Sequence, residues 1–361
     1  MLLGDLGADI IKVESPGGDD TRTWLPPERD GVSTYYLAIN RNKRSVKLDL
    51  KNPTGLSAAQ DLASRADVVI ENFKPGGLTR FGLDYGTVSK RNEAVIYASI
   101  SGFGSGQGAS LPGYDLLVQA MSGLMSLTGD PAGTPYRAGI SVFDVMTGMH
   151  AAIGILAALH HRDTTGEGQH IEVNLLSSAL SGLVNHTSAY VAGATVPLRM
   201  GNAHPSLFPY EPLPTADKDL IVIAGNDGQF RKLATVLGLE ELLDDERFSH
   251  NEDRTRNREE LRPYLVEKLK QRGADEWFEI LTGAGLPCGP INTVKEGVEL
   301  AERLGLAPVV HVGEGDNTVP SIRNPITFSS TPSSYLLPPP APGQHTDEIR
   351  AWLMGTNPGQ H

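Results

Sequence analysis

Strand-like and helix-like segments alternate through the first half of the chain, and this alternation restricts the fold more than any other feature of the sequence. Ile10–Val13, "SVKLDL" (Ser45–Leu50), "DVVIENF", "AVIYASISGFG" and "GQHIEVNLL" read as strands. Between them, "NPTGLSAAQDLASRA", Tyr114–Leu127 and Val142–His161 read as helices. Such alternation implies an α/β fold, with a mostly parallel sheet and helices on both faces. The opening "MLLGDLGADIIKVE" reads as the last turns of a helix entering a strand. A further strand and turn are therefore expected ahead of that helix. After about Ala192 a Pro- and Gly-rich crossover leads to a more charged region. A strand at Leu220–Ala224 and helices near Gln229–Leu237, Arg258–Lys270 and Asp275–Gly283 suggest a smaller α+β domain. From about Leu306 the chain is irregular, with "LLPPPAPGQH" extended and a last helix from Thr346. The expected domains are 1–195, 196–305 with its linker, and 306–361 returning to the first.

The balance of 31 basic and 43 acidic residues gives a net charge of −12 with no basic cluster, which argues against nucleic acid. One cysteine, Cys288, excludes an internal disulfide and fits a reducing compartment. With no secretory signal and no apolar run of about 18 residues, the expectation is a soluble cytoplasmic protein without membrane association.

The helix beginning at Val142 carries a single carboxylate, Asp144, near its start and no Asp, Glu, Lys or Arg from Val145 to Leu159. Val145, Met149, Ala152, Ile153, Leu156 and Leu159 form a large apolar stripe, and Thr147, Gly148, Ala151, Gly154 and Ala158 a small one. A helix apolar or small all round is expected to be buried. Asp144 either caps this helix or heads a face narrow enough for a slender ligand. Other motifs carry less. "GFGSGQGA" lacks the helix start and acidic partner of a dinucleotide fingerprint, and GxxxxGK[ST], HExxH and GxSxG are absent. The ten histidines show no metal-ligand spacing, so no metal site is expected, and Cys288 reads as a small buried residue. "NRNKRS" (Asn40–Ser45) and "NFKPGGLTRFG" (Asn72–Gly82) place cations beside turns, as phosphate sites or as solvated loops.

Taken in order, "LGADIIKVESPGGDDTR", "NRNKRSVKLDL", "ENFKPGGLTRFGLDY", "YASISGFG", "PGYDLLVQAMSGLMSLTG", "FDVMTGMHAAIGILAAL", "TGEGQHIEV", "GNAHPSLFPYEPL", "GLPCGPIN" and "PGQHTDEI" resemble the family III coenzyme A transferases. That family includes formyl-CoA transferase, carnitine CoA-transferase and α-methylacyl-CoA racemase. The resemblance implies a Rossmann-like large domain, a small α+β domain and an interlocked homodimer. It makes Asp144 the nucleophile, forming an aspartyl-CoA thioester, with acyl-CoA and a small carboxylic acid as substrates and no tightly bound cofactor. By the same resemblance Tyr114 joins the catalytic site. Leu48, Lys51, Asn72, Phe73, Arg80 and Asp115 line the CoA site, with Arg44 a further phosphate contact. Gly201, Asn202 and His204 form a substrate loop, and the small face after Asp144 admits a pantetheine arm.

Racemases of this family place His before the Asp of the pair at 114–115, whereas this chain has Tyr114, whose ordinary pKa of about 10 makes a poor base. That favours transfer. An α-methylacyl-CoA-type racemase or epimerase and a non-catalytic acyl-CoA-binding protein are the alternatives. "GDDTRTWLPP", "STYYLAINRNK", "NLLSS" and "GNAHPSLFPY" look most like the enzymes passing CoA from succinyl-CoA to glutarate or hydroxymethylglutarate. A dicarboxylate would want a second cation, for which Arg199 is the candidate.

Overall fold

The computed structural model describes residues 1–315 and 318–355 and separates into two compact units. The first comprises 1–118, 140–184 and 301–361, and the second 119–139 and 185–300. Residues 119–139 thus fall in the second unit, not in the first domain as the sequence suggested.

In chain order the main elements begin with β1 (Ile10–Glu14), β2 (Lys43–Lys47), α1 (Pro53–Arg65), β3 (Val68–Glu71) and β4 (Ile96–Ser101). Then come α2 (Asp115–Met121), α3 (Leu124–Leu127), α4 (Val142–Thr165), β5 (Gln169–Asn174) and α5 (Leu175–Gly182). The second unit adds β6 (Tyr210–Pro214), β7 (Asp219–Ile223), α6 (Asp227–Leu237), α7 (Arg258–Leu269), α8 (Ala274–Gly283) and β8 (Cys288–Pro290). The chain returns to the first unit with β9 (Val309–Val312), β10 (Val319–Ile322) and α9 (Thr346–Leu353).

These five first-half strands pair in parallel, but they form two sheets rather than one, and a short antiparallel hairpin pairs Glu28–Arg29 with Val32–Ser33. β1 pairs with β2, and β3, β4 and β5 pair in that order. The single helix expected over Tyr114–Leu127 breaks into α2 and α3 at Gly123, whose φ of 98° suits glycine alone. In the second unit β6, β7 and β8 form an antiparallel sheet. Its edge strand β6 lay inside the stretch read as a crossover, because Pro212 and Pro214 argue against a strand. Prolines are tolerated on an edge, where no ladder partner needs their N–H.

β4 is buried on both faces, as a central parallel strand should be. Ile96 and Ala98 pack on Ile155 and Ala158 of α4, and Tyr97 packs on Ala63 of α1. α4 corrects two expectations. Its mean hydropathy of 1.7 over a long enough stretch gives it the length and composition to cross a membrane, yet Phe143, Thr147, Ala151, Ile155 and Ala158 are buried within the unit. The helix is also not buried all round. The small-residue side faces the sheet, so protein rather than open space fills most of it. The large apolar side, with Val145, Met149, Ile153 and Leu156, is exposed.

Two of the "NRNKRS" cations, Arg41 and Arg44, are paired internally with carboxylates, and Lys43 donates to the Asn40 side chain. Arg41 is 1 % exposed and its guanidinium makes a forked bond to Asp5, at 2.9 and 2.7 Å. Asp5 also accepts from Asn42 at 2.9 Å and Asn324 at 3.1 Å. Arg41 donates on to the Ile322 carbonyl of β10. Arg44 is held by Asp9 and Glu348. α9 docks on the same region, with Ile349 packed among Val46, Leu48, Ala59 and Leu62. Removing the Asp5 carboxylate leaves a buried, unpaired guanidinium. Asp5→Ala is expected to cost about 3–5 kcal/mol in urea denaturation, whereas Asp5→Asn, which keeps an acceptor, costs less.

Candidate active site

Two glycines in contact set up the site. A Cβ on Gly102 would lie 2.4 Å from the Gly113 Cα, and one on Gly113 would lie 2.8 Å from the Gly102 Cα. The end of β4 and the start of α2 can approach this closely only without side chains. The contact seats Tyr114 and Asp115 beside the start of α4.

Asp115 is 7 % exposed. Its Oδ1 accepts from the Phe143 N–H at 2.8 Å and the Asp144 N–H at 3.2 Å. Asp115 is therefore the cap of α4, and the residue formally at the N-cap, Ser141, makes no side-chain cap bond. Of the two readings of Asp144 from sequence, the cap therefore fails, and the Asp115 carboxylate bonds helix amides. The neighbouring Val142 and Val145 amides donate to Ile140 and Ser141 carbonyls. The first amides of α4 are thus already bonded and leave none for an oxyanion.

Released from capping, Asp144 is accessible to solvent at the helix start. Its carboxylate is partly desolvated by the surrounding chain, and this, together with the negative charge of Asp115, raises its pKa to about 6. Tyr114 is 72 % exposed. A perturbed, reachable carboxylate at a fixed helix start is chemically a nucleophile or a base near neutral pH.

A cavity of about 330 Å3 lies along one side of β3, β4 and β5 and reaches the carboxyl ends of β3 and β4, where parallel sheets commonly receive ligands. Phe73, Lys74, Thr79, Ser99, His170 and Glu172 are among its walls. His170 stacks on Tyr85 at 4.8 Å, and its Nε2 lies 2.9 Å from the Ser99 Oγ. Sequence reasoning missed His170, whose only signal was its place in the strand "GQHIEV". Of the expected CoA positions, Phe73 lines this cavity, while the exposed Asn72 and Arg80 adjoin it in sequence without lining it. Lys51 is exposed on the turn before α1. Leu48, at 2 % exposure, has its side chain in the core and presents no surface to a ligand.

In the second unit Gly201, Asn202 and His204 do come together, around a cavity of about 280 Å3. Arg199 does not line it, because its guanidinium is bonded to the carbonyls of Asp130 and Gly133. Cys288 is half-buried near Thr282 and the Phe278 carbonyl, and burial pushes its thiol pKa up, as expected of an inert cysteine.

Comparison with known proteins gives the family. The model of CoA-transferase family III matches residues 1–346. The succinate–glutarate CoA-transferase of Agrobacterium fabrum is 44 % identical over 98 % of this chain and 90 % of its own length. The succinyl-CoA:glutarate CoA-transferase of Homo sapiens is 40 % identical over 97 % of this chain and 80 % of its own. Among solved structures, a CAIB/BAIF family protein from Brucella suis superposes with a TM-score of 0.86 at 43 % identity, covering 97 % of this chain and 93 % of that one. The chain belongs to CoA-transferase family III.

Proposed function

We propose that this enzyme moves coenzyme A between an acyl-CoA and a free dicarboxylic acid of the succinate or glutarate kind, through an aspartyl-CoA thioester on Asp144. The observation that carries the reading is the accessible Asp144 carboxylate held at the start of α4 by Asp115. The names of the most similar relatives supply the acids.

In the proposed cycle an Asp144 oxygen attacks the thioester carbonyl, the C–S bond breaks, and CoA leaves as thiolate beside an aspartyl–acyl anhydride. The thiolate attacks the aspartyl carbonyl, releasing the first acid and leaving Asp144 as a CoA thioester. The second acid's carboxylate repeats the sequence in reverse and Asp144 is regenerated. No net proton is consumed. The thiolate, with an ordinary pKa of about 8.5, leaves without strong acid assistance. Asp115 is a positioning residue: it fixes the Asp144 backbone and raises that carboxylate's basicity, and a more basic carboxylate is a better nucleophile. Tyr114 contributes an exposed hydroxyl next to it in the chain. Coenzyme A is assigned to the region of Lys51, Asn72, Phe73 and Arg80, where Arg80 is suited to phosphate.

The exposed apolar side of α4 supports a homodimer. Ile153 is 63 % and Val145 57 % exposed, and Val184 at the end of α5 is 67 % exposed. A patch of this kind marks an interface, and the interlocked dimer expected from the family supplies its occupant. On this reading α4 is a dimer contact and not a membrane span.

Asp144→Ala is expected to abolish CoA transfer from succinyl-CoA to glutarate while leaving CoA binding intact; undiminished turnover would reject the nucleophile. Solvent deuterium entering the α-carbon without acid exchange would favour the racemase instead. Because Asp144 must be ionised to attack, activity should climb through about pH 6 and level off above it. Asp115→Asn keeps an acceptor for the amides but removes the charge, so the acid limb should move to lower pH. Asp115→Ala loses the cap as well and should cost about 1 kcal/mol of stability. Light scattering after gel filtration should give a dimer mass, with Ile153→Glu shifting it to monomer.

A further inference from the structure

The outward edge of β2 is closed by side chains where a sheet would use another strand. The Ser45 N–H donates to the His345 Nδ1 at 3.1 Å, and the Lys47 N–H to the Thr346 Oγ1 at 3.1 Å. In return the His345 N–H donates to the Ser45 carbonyl at 2.9 Å. The Gly343 N–H donates to the Ser45 Oγ at 2.8 Å, and that hydroxyl donates on to the Glu14 Oε1 at 2.6 Å. Gly343 makes the turn with a φ of 69°, where a Cβ would lie 3.0 Å from the Lys47 Cβ. These bonds seat the start of α9, whose Ile349 enters the core beside Val46 and Leu48. An edge strand with unmet amides invites foreign strands, and here the carboxyl-terminal segment covers it.

Among the groups accepting on this edge, the imidazole is the one that ordinarily titrates near neutral pH. A backbone amide can only donate, so the ring nitrogen facing Ser45 carries a lone pair and the neutral ring holds its proton on Nε2. Protonation would set one N–H against another. Burial lowers the His345 pKa from its ordinary 6.5, Glu348 pulls it up and Arg44 pushes it down. The positive end of α9 also disfavours a cation there. The other charged groups around the junction are Lys47, beside Gly343, Asp9, which holds Arg44, and Glu14, behind the Ser45 hydroxyl. Burial alone would raise the Glu14 pKa, but its bonds from Arg22 and Ser45 hold it below the ordinary value, so Glu14 stays ionised while imidazole titrates.

We propose that His345 is a proton-operated latch: neutral, it fixes residues 341–353 to the edge of β2, and protonated, it lets that segment swing off while the rest of the first unit stays folded. The docked ring takes a proton less readily than a free one, so acid favours release. Docking is at full strength above the free imidazole pKa of about 6.5 and weakens below it, by up to about tenfold per pH unit for the one proton taken up. This device is independent of the transferase reading.

Hydrogen–deuterium exchange of the whole chain, read by mass spectrometry and corrected for the intrinsic effect of pH, tests the latch. In the wild type, peptides covering Lys43–Lys47 and Thr346–Leu353 should lose protection by up to about tenfold per pH unit below about pH 6.5, while Ile96–Ser101 of β4 keeps its own. In His345→Asn the side-chain oxygen can accept the Ser45 N–H and takes no proton, so both peptides should stay protected through the same range. His345→Ala should leave them open at neutral pH as well. A wild type whose two peptides are indifferent to pH, a His345→Asn variant that follows the wild-type pH dependence, a parallel loss in β4, or a His345→Ala variant as protected as the wild type would each overturn the proposal. Should His345→Ala not fold, the wild type against His345→Asn decides.

Discussion

The carboxylate of Asp115, bonded to two amides at the start of α4, is the interaction on which the site depends. It replaces a cap that Ser141 does not provide, and it does so from another segment of the chain. The close contact of Gly102 and Gly113 determines where that carboxylate can sit. Because the amides are already satisfied, Asp144 owes nothing to the helix it begins, and its oxygens are left to solvent and ligand. Partial desolvation keeps the Asp144 proton affinity high, and the nearby negative charge of Asp115 adds to it.

Much of the architecture was legible from the residues. Parallel strands were readable because β-rich runs such as "DVVIENF" and "AVIYASISGFG" alternate with helical spacing, and α1 was readable because Asn52 and Pro53 mark its start; the Asn52 side chain accepts the Thr54 N–H. What failed depended on partners distant in sequence. Pro212 and Pro214 hid an edge strand, since nothing local reveals which strands lie at an edge. "NRNKRS" looked available to phosphate because its acids, Asp5, Asp9 and Glu348, lie tens to hundreds of residues away. Periodicity found both stripes of α4 but could not tell which one meets the sheet. Asp144 was visible as a lone charge in an apolar helix, whereas its relation to Asp115 was not, because capping between segments leaves no local spacing to read.

Charge is distributed with some economy in this acidic chain. In the first unit Lys12, Arg22, Arg41 and Arg44 are matched internally by carboxylates.

The pairing of Asp5 with Asn324 spans 319 residues. During synthesis Asp5 and Arg41 emerge before β9, β10 and the asparagine that complete their enclosure. Most of the second unit, 185–300, is one continuous stretch and is finished before them. Native contacts of such long range are slow to form. On the ribosome, the first unit is therefore the last to close, and a chain released before β9 and β10 would carry an open ionic seam in place of a finished core.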